Sequence, residues 1–266
     1  MRTLLMTMVA LASSGLVAAE PEPTLVDQLI RANKRIRSLQ CDIRREVESG
    51  ENIVTTLSRL SFKRGDRLRV ETVTPTPRRI VVDGIAIHKW IKGHQKGVRI
   101  PLKGAPPPEL LQVRRVPASG EEYLLRLKDA PETMLPPTTE FPKRRGYAPS
   151  APHPYVILSL DNNGRLARIE FLDPHNHSKR LSRVDFGGWI EAAPGIWIAC
   201  TQLTETQARN GISTHETLRV SRLKVNQEIQ DQTFDPTHWA SDIEFVAPTE
   251  MVKHLSGLRS TESSKQ

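Results

Sequence analysis

The chain predicts a mainly β protein: one curved antiparallel sheet with covering helices. Three observations carry that expectation. Segments with a two-residue hydrophobic period recur in both halves of the sequence. Tight-turn residues join them, and the helical crossovers that a parallel sheet requires do not stand between them. Long helical periodicity is confined to one stretch, residues 24–38.

Taken in order, residues 1–19 read as a cleavable signal peptide. Arg2 supplies a positive start, Leu4 to Leu16 is uncharged and mostly apolar, and Val17-Ala18-Ala19 offers small residues for cleavage. The apolar run falls short of the roughly 20 residues needed to cross a bilayer as a helix. A single domain is expected over 20–258, with a proline-rich irregular insert at 104–153 and a disordered polar tail at 259–266.

The helix at 24–38 starts with Thr24 as cap and Asp27 three positions on. Leu25, Leu29, Ala32 and Ile36 form its apolar stripe. Strands are expected at 39–48, 53–63, 67–73, 78–83, 85–91 and 98–102, with Asp83-Gly84 as a hairpin turn. In the middle, Glu109 to Val113 and Glu121 to Leu127 are helix candidates, and Tyr123-Leu124-Leu125 equally fits the start of a strand. Residues 136–154, with Lys143-Arg144-Arg145, read as a long basic loop. Strands resume at 155–160 and 165–172 around Asp161-Asn162-Asn163-Gly164, then at 179–186, 195–204 and 214–225. Residues 240–250 fit a small helix or a loose terminal element.

Of the 266 residues, 38% are hydrophobic and 26% charged, which excludes a disordered chain. The net charge of +8 favours anionic partners such as membrane surfaces. Export argues against nucleic acid. Cys41 and Cys200 form a disulfide pair in the simplest reading of an oxidising compartment, and two free buried thiols are the alternative.

Familiar catalytic patterns are absent: no G-x-S-x-G, H-E-x-x-H, G-x-G-x-x-G or phosphate-loop lysine motif occurs. Asp173, His175 and His177, with a distant His153, are the best metal candidates. A polar hairpin turn explains the first three more simply. No catalysis, cofactor or metal is expected. The apolar strand faces are more informative, because a sheet with one apolar face needs a second layer or a guest. Val54, Leu60, Phe62, Leu68, Val70, Ile85, Ile87, Ile91, Ile169 and Phe171 are the cavity-lining candidates. An ordinary closed core is the other reading of the same faces.

Several segments together resemble the LolA-like superfamily of periplasmic lipoprotein carriers, in its outer-membrane lipoprotein-sorting branch. They are Leu39-Gln40-Cys41-Asp42-Ile43, the run from Ser61 to Glu71, Ile80-Val81-Val82-Asp83-Gly84 with Trp90, Arg165 to Phe171, and Gly195-Ile196-Trp197-Ile198-Ala199. Gly65 and Val70 depart from the proline and tryptophan usual at those places. The resemblance implies a strongly curved antiparallel sheet forming an unclosed barrel around an apolar cavity, with a helical lid. It implies a soluble, monomeric, non-catalytic periplasmic carrier of lipoprotein acyl chains or lipid. Its partners would be inner- and outer-membrane proteins, with transient membrane-surface contact. It also implies a buried arginine near the lid that tunes release, for which Arg44 and Arg45 are the candidates. Two other readings stand beside it: an envelope sensor that binds a membrane-anchored regulator, and an exported metal-dependent hydrolase.

Overall fold

A computed structural model describes residues 22–102, 117–150, 152–207 and 213–251. The expected signal peptide at 1–19, the helix candidate at 109–113 and the tail at 259–266 lie outside the described residues.

Helix α1 (Leu25–Lys34) opens the described chain. Thr24 caps it as its sequence predicts: Oγ1 accepts from the Asp27 amide at 3.1 Å and donates to the Asp27 carboxylate at 2.8 Å. The helix stops at Lys34 instead of 38 because tertiary partners take its last carbonyls. The Arg64 guanidinium donates to Asn33 O at 2.8 Å and to Ile36 O at 3.0 Å.

Six strands follow as an antiparallel meander: β1 (Ser38–Ser49), β2 (Asn52–Lys63), β3 (Arg67–Thr74), β4 (Arg78–Asp83), β5 (Ala86–Ile91) and β6 (Lys96–Pro101). The β4–β5 turn uses Asp83-Gly84, with Gly84 at φ +92°, where a side chain would be strained. Helix α2 (Glu121–Leu127) settles the ambiguity at Tyr123 in favour of a helix. A second meander is built by β7 (Glu132–Leu135), β8 (Lys143–Tyr147), β9 (Tyr155–Leu160), β10 (Leu166–Leu172) and β11 (Arg180–Gly187), with β14 (Thr201–Gln207) and β15 (Ser213–Val225) after it. Between β11 and β14, β12 (Ile190–Ala193) and β13 (Ile196–Ile198) form a separate two-stranded ribbon, so the expected strand at 195–204 is split. After β15 come a 3-10 turn (Asp231–Phe234), the short helix α3 (Pro236–Trp239) and β16 (Glu244–Val246), which pairs parallel to β6.

The expected basic loop contains a strand. Lys143, Arg144 and Arg145 sit in β8, hydrogen-bonded between β7 and β9. Charge hid the alternation: Arg145 ion-pairs Glu132 at 2.9 Å on β7, and Tyr147 is buried two positions on.

Apart from the β12–β13 ribbon, the described strands form one 14-stranded sheet in the order β16-β6-β5-β4-β3-β2-β1-β15-β14-β11-β10-β9-β8-β7. The two meanders meet where the first long strand, β1, pairs the last, β15. This corrects the expected barrel: the sheet is open and neither closed nor strongly curled. Its edges explain why. β7 has four residues and is flanked by Pro131, Pro136 and Pro137, while β16 has three and is followed by Ala247-Pro248. Short, proline-bounded edges end a ladder instead of extending it.

The expected disulfide is also corrected: Cys41 and Cys200 are free thiols. Cys41 lies on β1 and Cys200 just before β14, with β15 between those strands. Two strand spacings amount to about 9.5 Å, beyond the roughly 7 Å that a bridge can span between α-carbons. Burial, and at longer range Cys200, push the Cys41 thiol up to about 12, so it stays protonated and packs as a small apolar group.

Directly paired residues share a face of the sheet, and α1 and α2 cover one part of what we call the inner face. Leu25, Val26 and Ile30 of α1 and Leu124 and Leu127 of α2 join the main core with Leu158, Ile169 and Val184. Burying each such side chain is worth about 1.5–3 kcal/mol. A small second core of Val81, Ile229 and Phe234, with Trp239 packed on it, lies on the outer face under the C-terminal segment.

Candidate functional site

The inner face continues past α2 into a groove of about 510 Å³. Its floor comes from one alternating set: Ile43 on β1, Leu60 on β2, Val70 on β3, Ile80 on β4 and Leu218 on β15. The register explains the juxtaposition, because Leu60 faces Val70 and Val70 faces Ile80 across neighbouring strands. Ala118 and Tyr123 of the α2 region form a wall, and the Tyr123 ring packs on Phe171 at 5.2 Å between centroids.

One or two residues further along the same strands the lining turns polar. Thr56, Ser58 and Thr72 line this part, joined by Gln202 and Thr204 of the neighbouring strand β14. Ser58 and Thr72 hydroxyls lie 3.2 Å apart, and Gln202 donates to Thr204 at 3.3 Å. Arg45 and Glu216 close a two-pronged ion pair here, both bonds at 2.7 Å. Donation to the Glu216 carboxylate raises the Arg45 guanidinium further, against burial. Burial, with the Glu122 and Glu216 charges, pushes the Tyr123 phenol up. It therefore presents a neutral hydroxyl at the wall at physiological pH. Arg78 reaches the groove from the β3–β4 rim.

The sequence-derived candidates divide into three groups. Val70, half-buried, and Leu60, itself a member of the main core, meet on the groove floor. Phe62, Leu68, Ile87 and Ile169 are buried in the closed core, and Phe171 is half-buried against Tyr123. Val54, Ile85 and Ile91 are exposed, at 52%, 67% and 44%. The two arginine candidates point to opposite faces. Arg45 lines the groove, whereas Arg44 faces out and pairs with Glu46 at 2.6 Å. The arginine held between the helices is Arg64, which caps α1 and ion-pairs the buried Glu121 of α2 at 3.0 Å. Sequence reading passed over Arg64 because it lies in a turn, outside every strand pattern. It also missed Ile43, Ile80, Leu218 and Tyr123. The alternation Thr214, Glu216, Leu218, Val220 on β15 was the available signal.

The histidine cluster does not assemble. Among the described residues no group of three or more His, Cys, Asp or Glu side chains is placed to hold a metal ion. Asp173 instead accepts from the His175 and Asn176 amides at 2.9 and 3.2 Å, and the His177 ring stacks on Tyr155 at 4.3 Å. That is the polar hairpin turn. The groove thus offers an apolar floor beside a polar, partly charged end, which suits an elongated amphipathic guest.

No protein-family model matches the chain, and no curated protein matches it. Solved structures do. A LolA superfamily protein from Nitrosomonas europaea has a TM-score of 0.51 at 14% identity, over 79% of this chain and 97% of its own. A DUF1329 family protein from Desulfovibrio piger gives 0.54 at 11% identity, over 79% and 94%. A domain described as an outer membrane lipoprotein-sorting protein, from Vibrio parahaemolyticus, gives 0.53 at 15% identity, over 80% and 95%. The chain therefore has a fold similar to that of the LolA superfamily and lipoprotein-sorting structures, across about four fifths of its length.

Proposed function

We propose that the protein is a non-catalytic periplasmic carrier whose inner-face groove holds acyl chains of lipoproteins or lipids in transit between membranes. The observation that carries this reading is the groove itself: a mixed apolar and polar surface that continues the helix-covered core. Its volume of about 510 Å³ falls in the range of roughly 300–1,000 Å³ typical of ligand sites. Each methylene buried on the floor contributes about 0.8 kcal/mol. Arg45, Arg78 and the Tyr123 hydroxyl are suited to a polar head. The LolA superfamily and lipoprotein-sorting structures share this fold, and on this reading inner- and outer-membrane proteins are the protein's partners.

Mass spectrometry of organic extracts from gently purified protein tests it. Lipid or acylated protein above a matched control is expected, and Val70→Trp, which fills the groove, should remove it. Extracts no richer than the control would sink the reading.

A further inference from the structure

On the outer face, at the end of the sheet where the groove opens, four paired strands place Arg59, Glu71, Arg79 and Trp90 in one cross-strand row. With Arg78 and Lys92 they line a separate cleft of about 310 Å³. Its one carboxylate is already neutralised. Glu71 takes Arg79 at 2.6 Å and Arg69 at 3.4 Å. The Arg79 guanidinium also lies over the Trp90 ring at 5.8 Å. Arg59, Arg78 and Lys92 are exposed around this row. Large apolar side chains are exposed at this rim: Val73 at 44% lines the cleft, Leu57 at 41% lies two positions before Arg59, and Ile91 at 44% pairs with Arg78 on the groove side. Arg78 and Thr72 line both this cleft and the inner groove, so the two share a rim.

Exposed cations alone would mark any anion. Cations ringed by exposed aliphatic side chains, with a tryptophan among them, match the layered chemistry of a bilayer surface: phosphate outermost, acyl boundary beneath. We infer that this rim is a docking surface for an anionic lipid bilayer, and that it sets the mouth of the groove against the membrane. The assignment deepens the carrier reading and rests on it for its purpose, but vesicle binding and groove contents are measured separately.

The test is co-sedimentation of the full-length protein with vesicles of phosphatidylglycerol and phosphatidylethanolamine, against vesicles of phosphatidylcholine. Binding to the anionic vesicles alone, weakening with salt, is expected. The double variant Arg59→Gln, Lys92→Gln leaves the groove lining and the Arg79–Glu71 and Arg69–Glu71 ion pairs in place, removing only the Lys92 charge and the Arg59 charge that faces Glu71 across the strands. It should lower the partition coefficient about 30-fold, at roughly 1 kcal/mol per cation. Val73→Asp should lower it too, with the melting temperature unchanged in both. The control is Arg31→Gln, Lys34→Gln, which removes the same charge from the basic end of α1 and should cost far less. Equal losses in the two double variants would reduce the effect to net charge and overturn the assignment. So would wild-type binding by the rim variant, or full release by inorganic phosphate at matched ionic strength, which marks a small-anion site. Vesicle binding by protein whose extracts hold no lipid would leave the rim standing and sink the carrier reading.

Discussion

The inner face carries two surfaces made by the same alternation. On β9 to β11, Leu158, Ile169 and Val184 are fully buried. On β1 to β4 and β15, Ile43, Val70, Ile80 and Leu218 stay half-exposed among hydroxyls and the Arg45–Glu216 pair. The strand residues do not explain the contrast, since both sets are large aliphatics at inward positions. What differs is the opposite layer. Leu124 and Leu127 of α2 and Val26 and Ile30 of α1 share one core with the first region, while among the described residues Pro117, Ala118, Glu122 and Tyr123, at and just before the start of α2, wall the second. Alternation creates an apolar face, and the covering segments decide whether it becomes core or site.

Truncation should separate the two most sharply. Ile169→Ala in the covered region should cost about 2–5 kcal/mol of unfolding free energy, because it removes buried contacts and leaves a cavity. Leu218→Ala in the groove should cost less than about 1.5 kcal/mol, since part of its surface is already exposed. Denaturant melts of the two variants check this. A Leu218→Ala cost as large as that of Ile169→Ala would mean the groove is closed core.

The next largest effect concerns the covering layer. Arg64 ties α1 to α2 through Asn33 O, Ile36 O and the Glu121 carboxylate. Glu121 is only 6% exposed, so removing Arg64 leaves its carboxylate buried without that ion-pair partner. Arg64→Ala should lower stability by about 2–3 kcal/mol. It should also speed amide exchange in both helices, turning the covered region toward the open one. Unchanged exchange in α1 would show that its packed stripe alone holds it.

How much of this was legible in the sequence follows from the same contrast. Period-two runs with strong turns, such as β4–β5 around Asp83-Gly84 and β9–β10 around Asp161 to Gly164, were readable because their signals are local. Thr24 and α1 were readable for the same reason. β8 was hidden because its inward residues, Lys143 and Arg145, are charged and lie beside the edge strand β7. The unclosed barrel, the disulfide and the groove depended on which distant segments meet. The β1–β15 pairing joins residues more than 160 positions apart, and no local pattern encodes it. Leu60, Phe62, Leu68 and Val70 all alternate inward on β2 and β3, yet Val70 stays half-exposed at the groove while Phe62 and Leu68 are buried in the core, a difference that alternation alone does not encode.

The smallest effect extends the covering rule to the outer face. There the C-terminal segment lies over β4 to β6 and buries Val81 and His88, while Trp90 further along β5 stays half-exposed. Phe245 of β16 packs edge-on against the His88 ring at 5.0 Å. It fits because Gly97 has no side chain: a β-carbon there would come within 2.6 Å of the Phe245 ring. Asp83 anchors the site. Its carboxylate accepts from the Ile85 and Ala86 amides, both at 2.7 Å, and lies 3.0 Å from His88 Nε2. Burial would raise its pKa, but the two amides and the His88 ring outweigh burial and hold the carboxyl below the usual range. The sign follows from linkage. A depressed folded value gives stability that is fully present above the unfolded value of about 3.9, and that stability is lost as pH falls through the folded value. Asp83→Asn keeps an acceptor for the turn amides and removes the titration. It should cost about 1 kcal/mol at neutral pH and fall less steeply than the parent below about pH 4. Parallel acid curves for the two proteins would show that Asp83 carries none of the acid sensitivity, and that packing of Phe245 and Phe234 alone seats the C-terminal segment on the outer face.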